Sequence, residues 1–261
     1  MSSESGTSGT DTAVARRGGG AGSGAPAGGR LGQRLSGLVV ALGTVLFLGG
    51  FGWAALVYMP FTVPTASMHP TIAAGDRVLA ERVDGSEVRR GDVVVFEQEN
   101  WADAPLIKRV VAVGGDTVAC CAGGGLTVNG ERIDEPYVGD DPFAATASFS
   151  EVTVPEGRLF LLGDDRTGSL DSTAHLAEKA AGTVSRKAVK GRVDAVVWPM
   201  DGMIEPAPGF RALGDEPSPQ GPLPLQTAMA VAGAVMIFAG AAYGPVAGAL
   251  ARRRGAGAAG G

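Results

Sequence analysis

The stretch "PFTVPTASMHPT", Pro60 to Thr71, holds a lone Ser67 between Pro64 and Pro70, with His69 two positions further on. Both prolines oppose helix, so Ser67 is expected in an extended segment or turn. A serine becomes a nucleophile only when a neighbouring base takes its proton. His69 is the nearest candidate and fits poorly. At i+2 in an extended segment it shares a face with Ser67, at a spacing that rarely aligns Oγ with a ring nitrogen. No known triad order surrounds it either. It reads as a partly exposed loop histidine, and His175, in a polar stretch, reads as a surface residue.

Lysine is the other source of a base, and the chain has four against eighteen arginines. Lys179, Lys187 and Lys190 lie in polar surroundings, whereas Lys108 sits in "PLIKRVVAV". Along a strand, Leu106, Val110 and Ala112 share its face, while Ile107, Val111 and Val113 flank Arg109. Burial disfavours a charged lysine. At a pKa of ~10.4 about one molecule in 2,500 is neutral at pH 7. Lowering the pKa to ~8 makes roughly a tenth neutral, at about 3.3 kcal/mol. A neutral amine can deprotonate serine. The competing reading keeps the stem packed and the ammonium in water.

These residues need a scaffold, and residues 60–200 read mainly as β. The segments 76–83, 92–98, 106–113, 117–121, 126–129, 158–163 and 192–199 are short, rich in β-branched side chains and separated by turn signals. Asn129-Gly130 is a two-residue hairpin signal. "AHLAEKAAG" (174–182) suggests one short helix, and 201–224 a Pro/Gly-rich tether.

Charge is absent from Leu35 to Gly75 and from Pro217 to Ala251. Each gap contains an apolar run, 35–59 and 225–250, long enough for the ~20 residues that cross a bilayer. The first is too long for a cleaved signal sequence and follows a ~30-residue leader, so a retained anchor is expected. Arg16, Arg17, Arg30 and Arg34 precede the first run, and Arg252, Arg253 and Arg254 follow the second. Between the runs lie 15 basic and 25 acidic residues. Both termini (1–34 and 251–261) are therefore expected in the cytoplasm, with the middle outside. The acidic middle argues against nucleic acid as a partner.

The Gly/Ser/Ala/Thr-rich leader should be disordered. Its "GGGAGSG" matches a nucleotide loop only formally, since no strand precedes it. Cys120 and Cys121 are adjacent, a spacing that fits no zinc site. A vicinal disulfide, two thiols or a bond to another chain all remain open.

Taken together and in order, "PTASMHPTI", "GDRVLAERV", "GDVVVF", "IKRVVAVGGDTV", "LGDDRTGSLDS" and "VKGRVDAVVWP" resemble the bacterial type I signal peptidases over about 60–199. The resemblance implies a mainly β extracytoplasmic catalytic domain that removes signal peptides from exported preproteins after Ala-x-Ala motifs, with no cofactor or metal. It implies the bilayer and the secretion translocon as further partners. By position it makes Ser67 the nucleophile and Lys108 the general base. Thr65 joins the Ser67 N–H in holding the oxyanion. Ser169 orients the lysine, Asp164, Arg166 and Asp171 support the site, and Met68 shapes the substrate pocket wall. Asp165 stands where the family usually has Asn, and Thr173 where it usually has Arg, which puts an Asp171 salt bridge in doubt. Ala112 and Gly114 replace the usual Gly and Pro. A relative trimming pilin-type substrates would share the Ser-Lys pair, and a degenerate relative would bind signal peptides without cutting. A plain extracellular β binding module would not need Lys108 on an apolar face.

Overall fold

The computed structural model describes residues 27–121, 125–139, 148–214 and 216–258, and only the backbone of 27–31 and 248–258. The leader up to residue 26 and the last three residues lie outside the described part.

Two long helices, α1 (Ala27–Val57) and α2 (Leu223–Ala258), carry the apolar runs. Gly32–Val57 and Leu223–Ala247 are long and apolar enough to cross a membrane, and most of their side chains are exposed. α1 begins eight residues before the expected Leu35 and ends two before Met59. Pro60 disfavours helix in the residue before it, and Tyr58–Thr62 leave the helix as strand β1.

Two compact units divide the chain. In the one formed by residues up to 44 and from 235 onward, the helices meet at small residues. The Ser36 hydroxyl donates to the Gly240 carbonyl at 2.7 Å, and Gly32 lies against Tyr243.

The other unit, 45–234, holds the strands. After β1 come β2 (Arg77–Glu81), β3 (Val93–Phe96), β4 (Leu106–Val113), β5 (Thr117–Cys120), β6 (Leu126–Val128), β7 (Glu131–Arg132), β8 (Phe149–Thr153), β9 (Arg158–Leu162), β10 (Val184–Ser185), β11 (Val189–Trp198) and β12 (Gly202–Met203). An eight-stranded sheet runs β1-β2-β11-β3-β4-β9-β10, with β12 on β11, and a four-stranded sheet runs β7-β6-β5-β8. Every pairing is antiparallel.

Short β-branched runs give these strands because a branched side chain packs well on a pleated, half-buried surface. Asn129 and Gly130 both take positive φ, 55° and 81°, and join β6 to β7 as the expected two-residue hairpin. Central β4 contributes to three core clusters at once: Ile107 packs with Val95 and Val193, Val110 with Phe96 and Leu161, and Val111 with Phe160 and Leu126. Six of its eight residues are buried. A charged pair in its middle is therefore covered on both faces.

The helix expected over 174–182 does not form. Ser172–His175 make one 3-10 turn, capped where the Asp171 carboxylate accepts from the Thr173 N–H. Ala181 and Gly182 then reverse the chain with positive φ. Nine residues cannot recover the cost of a helical nucleus without a packed face. His175 is half-buried rather than on the open surface, its ring stacked 4.2 Å from that of Trp101. The tether 201–224 carries β12 and a 3-10 segment, Pro208–Leu213, whose Phe210 is buried. Cys120 and Cys121 are bonded to each other, with Cys120 in the core beside Leu126.

Candidate active site

Beyond β1 the chain turns tightly. The His69 N–H donates to Ala66 O at 2.8 Å and Ile72 N–H to Met68 O at 2.9 Å. This turn points Met68 and Ile72 into the core and leaves Thr65 and Ala66 exposed. Ser67 is 6% exposed and Lys108, from the middle of β4, 2%. The Ser67 Oγ and Lys108 Nζ lie 2.5 Å apart, although 41 positions separate them. His69 is exposed and its ring makes no hydrogen bond to Ser67.

Burial pushes the Lys108 amine below its ordinary value, partly opposed by the carboxylates of Asp171, Asp164 and Asp165. Desolvation thus favours the neutral amine, the form that accepts the serine proton. The stem-packed, ammonium-exposed alternative does not occur, since the whole side chain is enclosed.

Thr65 Oγ1 donates to Ser67 Oγ at 3.3 Å. If Ser67 is the nucleophile that the resemblance implies, this exposed hydroxyl can turn toward an oxyanion forming beside it. Thr65→Ala is expected to lower the cleavage rate by about 10²-fold with little effect on substrate binding. Steady-state kinetics on a preprotein check this, and an unchanged rate means another donor holds the oxyanion.

The other expected site residues gather on the loop 163–171. Asp164 accepts two hydrogen bonds from Arg109, at 2.8 and 2.6 Å, and one from the Thr71 hydroxyl at 2.6 Å. The Asp165 N–H donates to Ser67 O at 3.2 Å. Its side chain closes its own turn by accepting from Gly168 N–H at 2.8 Å. An amide oxygen would make the same contact, so the expected Asn-to-Asp departure at 165 leaves this turn intact. Asp171 accepts from Gly163 N–H, and from the Thr173 N–H and hydroxyl at 3.0 and 2.7 Å. The Thr173 hydroxyl and N–H thus satisfy one carboxylate oxygen of Asp171, and no ion pair to Asp171 forms among the described residues.

Two expectations are not met in the structure. The Ser169 hydroxyl is buried and, among the described residues, has no hydrogen-bond partner, so the expected bond to Lys108 does not form. It lies against Gly163, where any Cβ would overlap both Ser169 and the Ser67 carbonyl oxygen. Met68 is wholly buried with Val63, Ile72 and Val95, so it supports the turn from beneath and presents no surface to a substrate. The changes at 112 and 114 are accommodated: Ala112 fills a core position, and a Cβ at Gly114 would press to 2.9 Å from the Glu156 backbone.

Sequence reasoning passed over Arg109. Its side chain is 2% exposed, bridges Asp164 and the Gly91 carbonyl, and lies under the Tyr137 ring at 4.0 Å. The missed signal was the cost of burying a second cation beside Lys108.

The family model described as signal peptidase, peptidase S26, matches residues 35–198. Among curated relatives, signal peptidase I of Mycobacterium tuberculosis is 33% identical over 194 residues, covering 55% of this chain and 66% of the relative. The chain thus spans just under two thirds of that protein's length. Signal peptidase I S of Bacillus subtilis is 30% identical over 176 residues, covering 64% and 88%. A crystal structure of a signal peptidase I from Enterococcus faecalis is 28% identical, covers 40% of this chain and 95% of its own, and superposes with a TM-score of 0.32. With its Ser-Lys pair placed inside the matched segment, the chain belongs to the signal peptidase family, peptidase S26.

Proposed function

We propose that this chain is a membrane-anchored serine endopeptidase that removes signal peptides from exported preproteins. The observation that carries the reading is the 2.5 Å approach of Ser67 Oγ to a buried, desolvated Lys108 amine. The neutral amine accepts the Ser67 proton as Oγ attacks the scissile carbonyl. The Ser67 N–H and the Thr65 hydroxyl donate to the resulting oxyanion. Collapse passes the proton from Lys108 to the leaving amine and leaves an acyl-enzyme on Ser67. Lys108 then deprotonates the hydrolytic water. Asp164, Arg166 and Asp171 hold the loop against the nucleophile turn.

Ser67 follows ten residues after Val57, the end of the first apolar helix. That short connection keeps the nucleophile near the bilayer, where a signal peptide is also confined. The flanking arginines orient both termini to the cytoplasm and the sheets outside. Small P1 and P3 residues, in the Ala-x-Ala pattern, are the expected substrate feature.

Full-length protein in detergent, incubated with a secretory preprotein and with a pilin-type precursor, tests the assignment. Mass spectrometry is expected to find one cut in the preprotein, directly after an Ala-x-Ala motif. Cleavage of the pilin-type precursor alone would reassign the substrate, and binding without any cut would make the chain a non-cleaving relative.

A further inference from the structure

Segment 133–139, which follows the β6–β7 hairpin, reaches from the small sheet into the supports of the Ser67 turn. Ile133 is anchored in the core, and its N–H donates to Leu126 O at 2.9 Å. Tyr137 then lays its ring over the Arg109 guanidinium, 4.0 Å from centroid to Cζ, while its hydroxyl donates to Glu135 Oε1 at 2.8 Å. Glu135 is ion-paired with Arg166, both side chains being nearly enclosed, and Arg166 Nε donates to Gly163 O at 3.2 Å. The segment ends at Gly139, which stands against the Pro70 ring.

These contacts close a circuit. Arg109 holds Asp164 from one side, and Arg166 holds the neighbouring Gly163 carbonyl from the other. Tyr137 and Glu135 connect the two arginines. The loop so fixed touches the nucleophile turn twice, from Asp164 to the Thr71 hydroxyl and from the Asp165 N–H to the Ser67 carbonyl. A ring over the guanidinium face keeps water from an ion pair whose strength depends on its dryness. A carboxylate that accepts from both Tyr137 and Arg166 fixes the angle of each.

We propose that Glu135 and Tyr137 are positioning residues for the Ser67–Lys108 pair, acting through Arg109 and Arg166 on the loop Gly163–Asp165. The inference rests on the reading of the chain as a Ser-Lys peptidase. Neither residue touches the reacting atoms, so each acts on the rate and not on substrate affinity. Loosening the Arg109–Asp164 pair also leaves the Asp164 charge less neutralised. The charged groups facing Lys108 are Asp164, Asp165 and Asp171, all carboxylates that favour its ammonium form. A freer Asp164 carboxylate therefore moves the pH at which Lys108 loses its proton upward.

The test is preprotein cleavage by full-length Tyr137→Leu, Tyr137→Phe and Glu135→Gln in detergent. Rates are normalised to the fraction of chain titrated by a serine-acylating probe. Tyr137→Leu is expected to lower kcat about tenfold with KM within twofold of wild type. The ascending limb of its pH–rate profile moves to higher pH. Tyr137→Phe, which keeps the stack, recovers most of the rate. Glu135→Gln shows a smaller shift of the same sign, and it carries the test if the leucine variant does not fold. A normalised kcat and limb position equal to wild type in Tyr137→Leu and Glu135→Gln would overturn the proposal, as would a phenylalanine variant no better than the leucine one. An inactive wild type would instead remove the peptidase reading beneath it.

Discussion

Ser67→Ala and Lys108→Met are each expected to reduce preprotein cleavage by on the order of 10⁴-fold or more, while His69→Ala retains it. Members of a nucleophile–base unit fail together, because neither reacts without the other. In the proposed mechanism the 2.5 Å Oγ–Nζ approach joins Ser67 and Lys108 in such a unit, and the exposed His69 ring has no place in it. Full activity in Lys108→Met would remove the dyad. Wild-type activity should rise with pH along a single limb set by Lys108, since only the neutral amine accepts the proton. Burial lowers that limb below the ordinary lysine value of 10.5, so it falls at a less alkaline pH than a solvated lysine would give.

The same shift has a consequence for stability, with its sign fixed by linkage. Between the depressed folded value and 10.5 the unfolded chain binds more protons at this site than the folded one, so wild-type stability rises with pH through that window. Below it, the folded state carries the full penalty of a buried ammonium. Lys108→Met removes the penalty while keeping the volume. It is expected to melt higher than wild type at neutral pH, with the difference shrinking as pH approaches 10.5. Thermal melts of both proteins across pH decide this, and a Lys108→Met protein that melts lower throughout would mean the amine is held by interactions stronger than its desolvation.

Physical chemistry also explains which parts of this molecule can be read without coordinates. Val93–Phe96 and Leu106–Val113 announce themselves because runs of branched side chains have few other uses. Lys108 is legible only as a candidate: a lysine on an apolar strand face can be buried or can send its ammonium to water, and the resemblance to a known family, not the pattern alone, favours the first. β1 is hidden for another reason: Pro60 signals the end of the helix, but Tyr58 to Thr62 read as the tail of an apolar run, and it is pairing with Arg77–Glu81 that makes them a strand. The mistaken helix at 174–182 has the right alanine, glutamate and lysine content but no apolar face to dock. The loop 163–171 shows its residue types, yet not that a threonine hydroxyl satisfies Asp171 or that Ser169 is left unpaired. The Arg109–Asp164–Tyr137 contacts join residues 55 and 28 positions apart, and no local pattern encodes such pairings.

That buried pair carries the second large effect. Arg109→Met is expected to destabilise the sheet unit by about 3–5 kcal/mol, because removing one partner strands an enclosed carboxylate. Among the described residues Asp164 then keeps only the Thr71 hydroxyl, and the guanidinium bridge to Gly91 O is lost as well. Pairing the change with Asp164→Leu removes the stranded charge. The double variant is expected to melt higher than Arg109→Met alone, so the two substitutions couple strongly. Activity should not return with stability, because leucine cannot accept from Thr71 and the loop loses one of its two ties to the turn that carries Ser67. Melting curves and preprotein cleavage of the two singles and the double separate these contributions. Additive losses of stability would show that the ion pair is not the link between β4 and the loop. Recovery of cleavage along with stability would show that Asp164 serves the fold alone, and that the Asp165 N–H suffices to place Ser67.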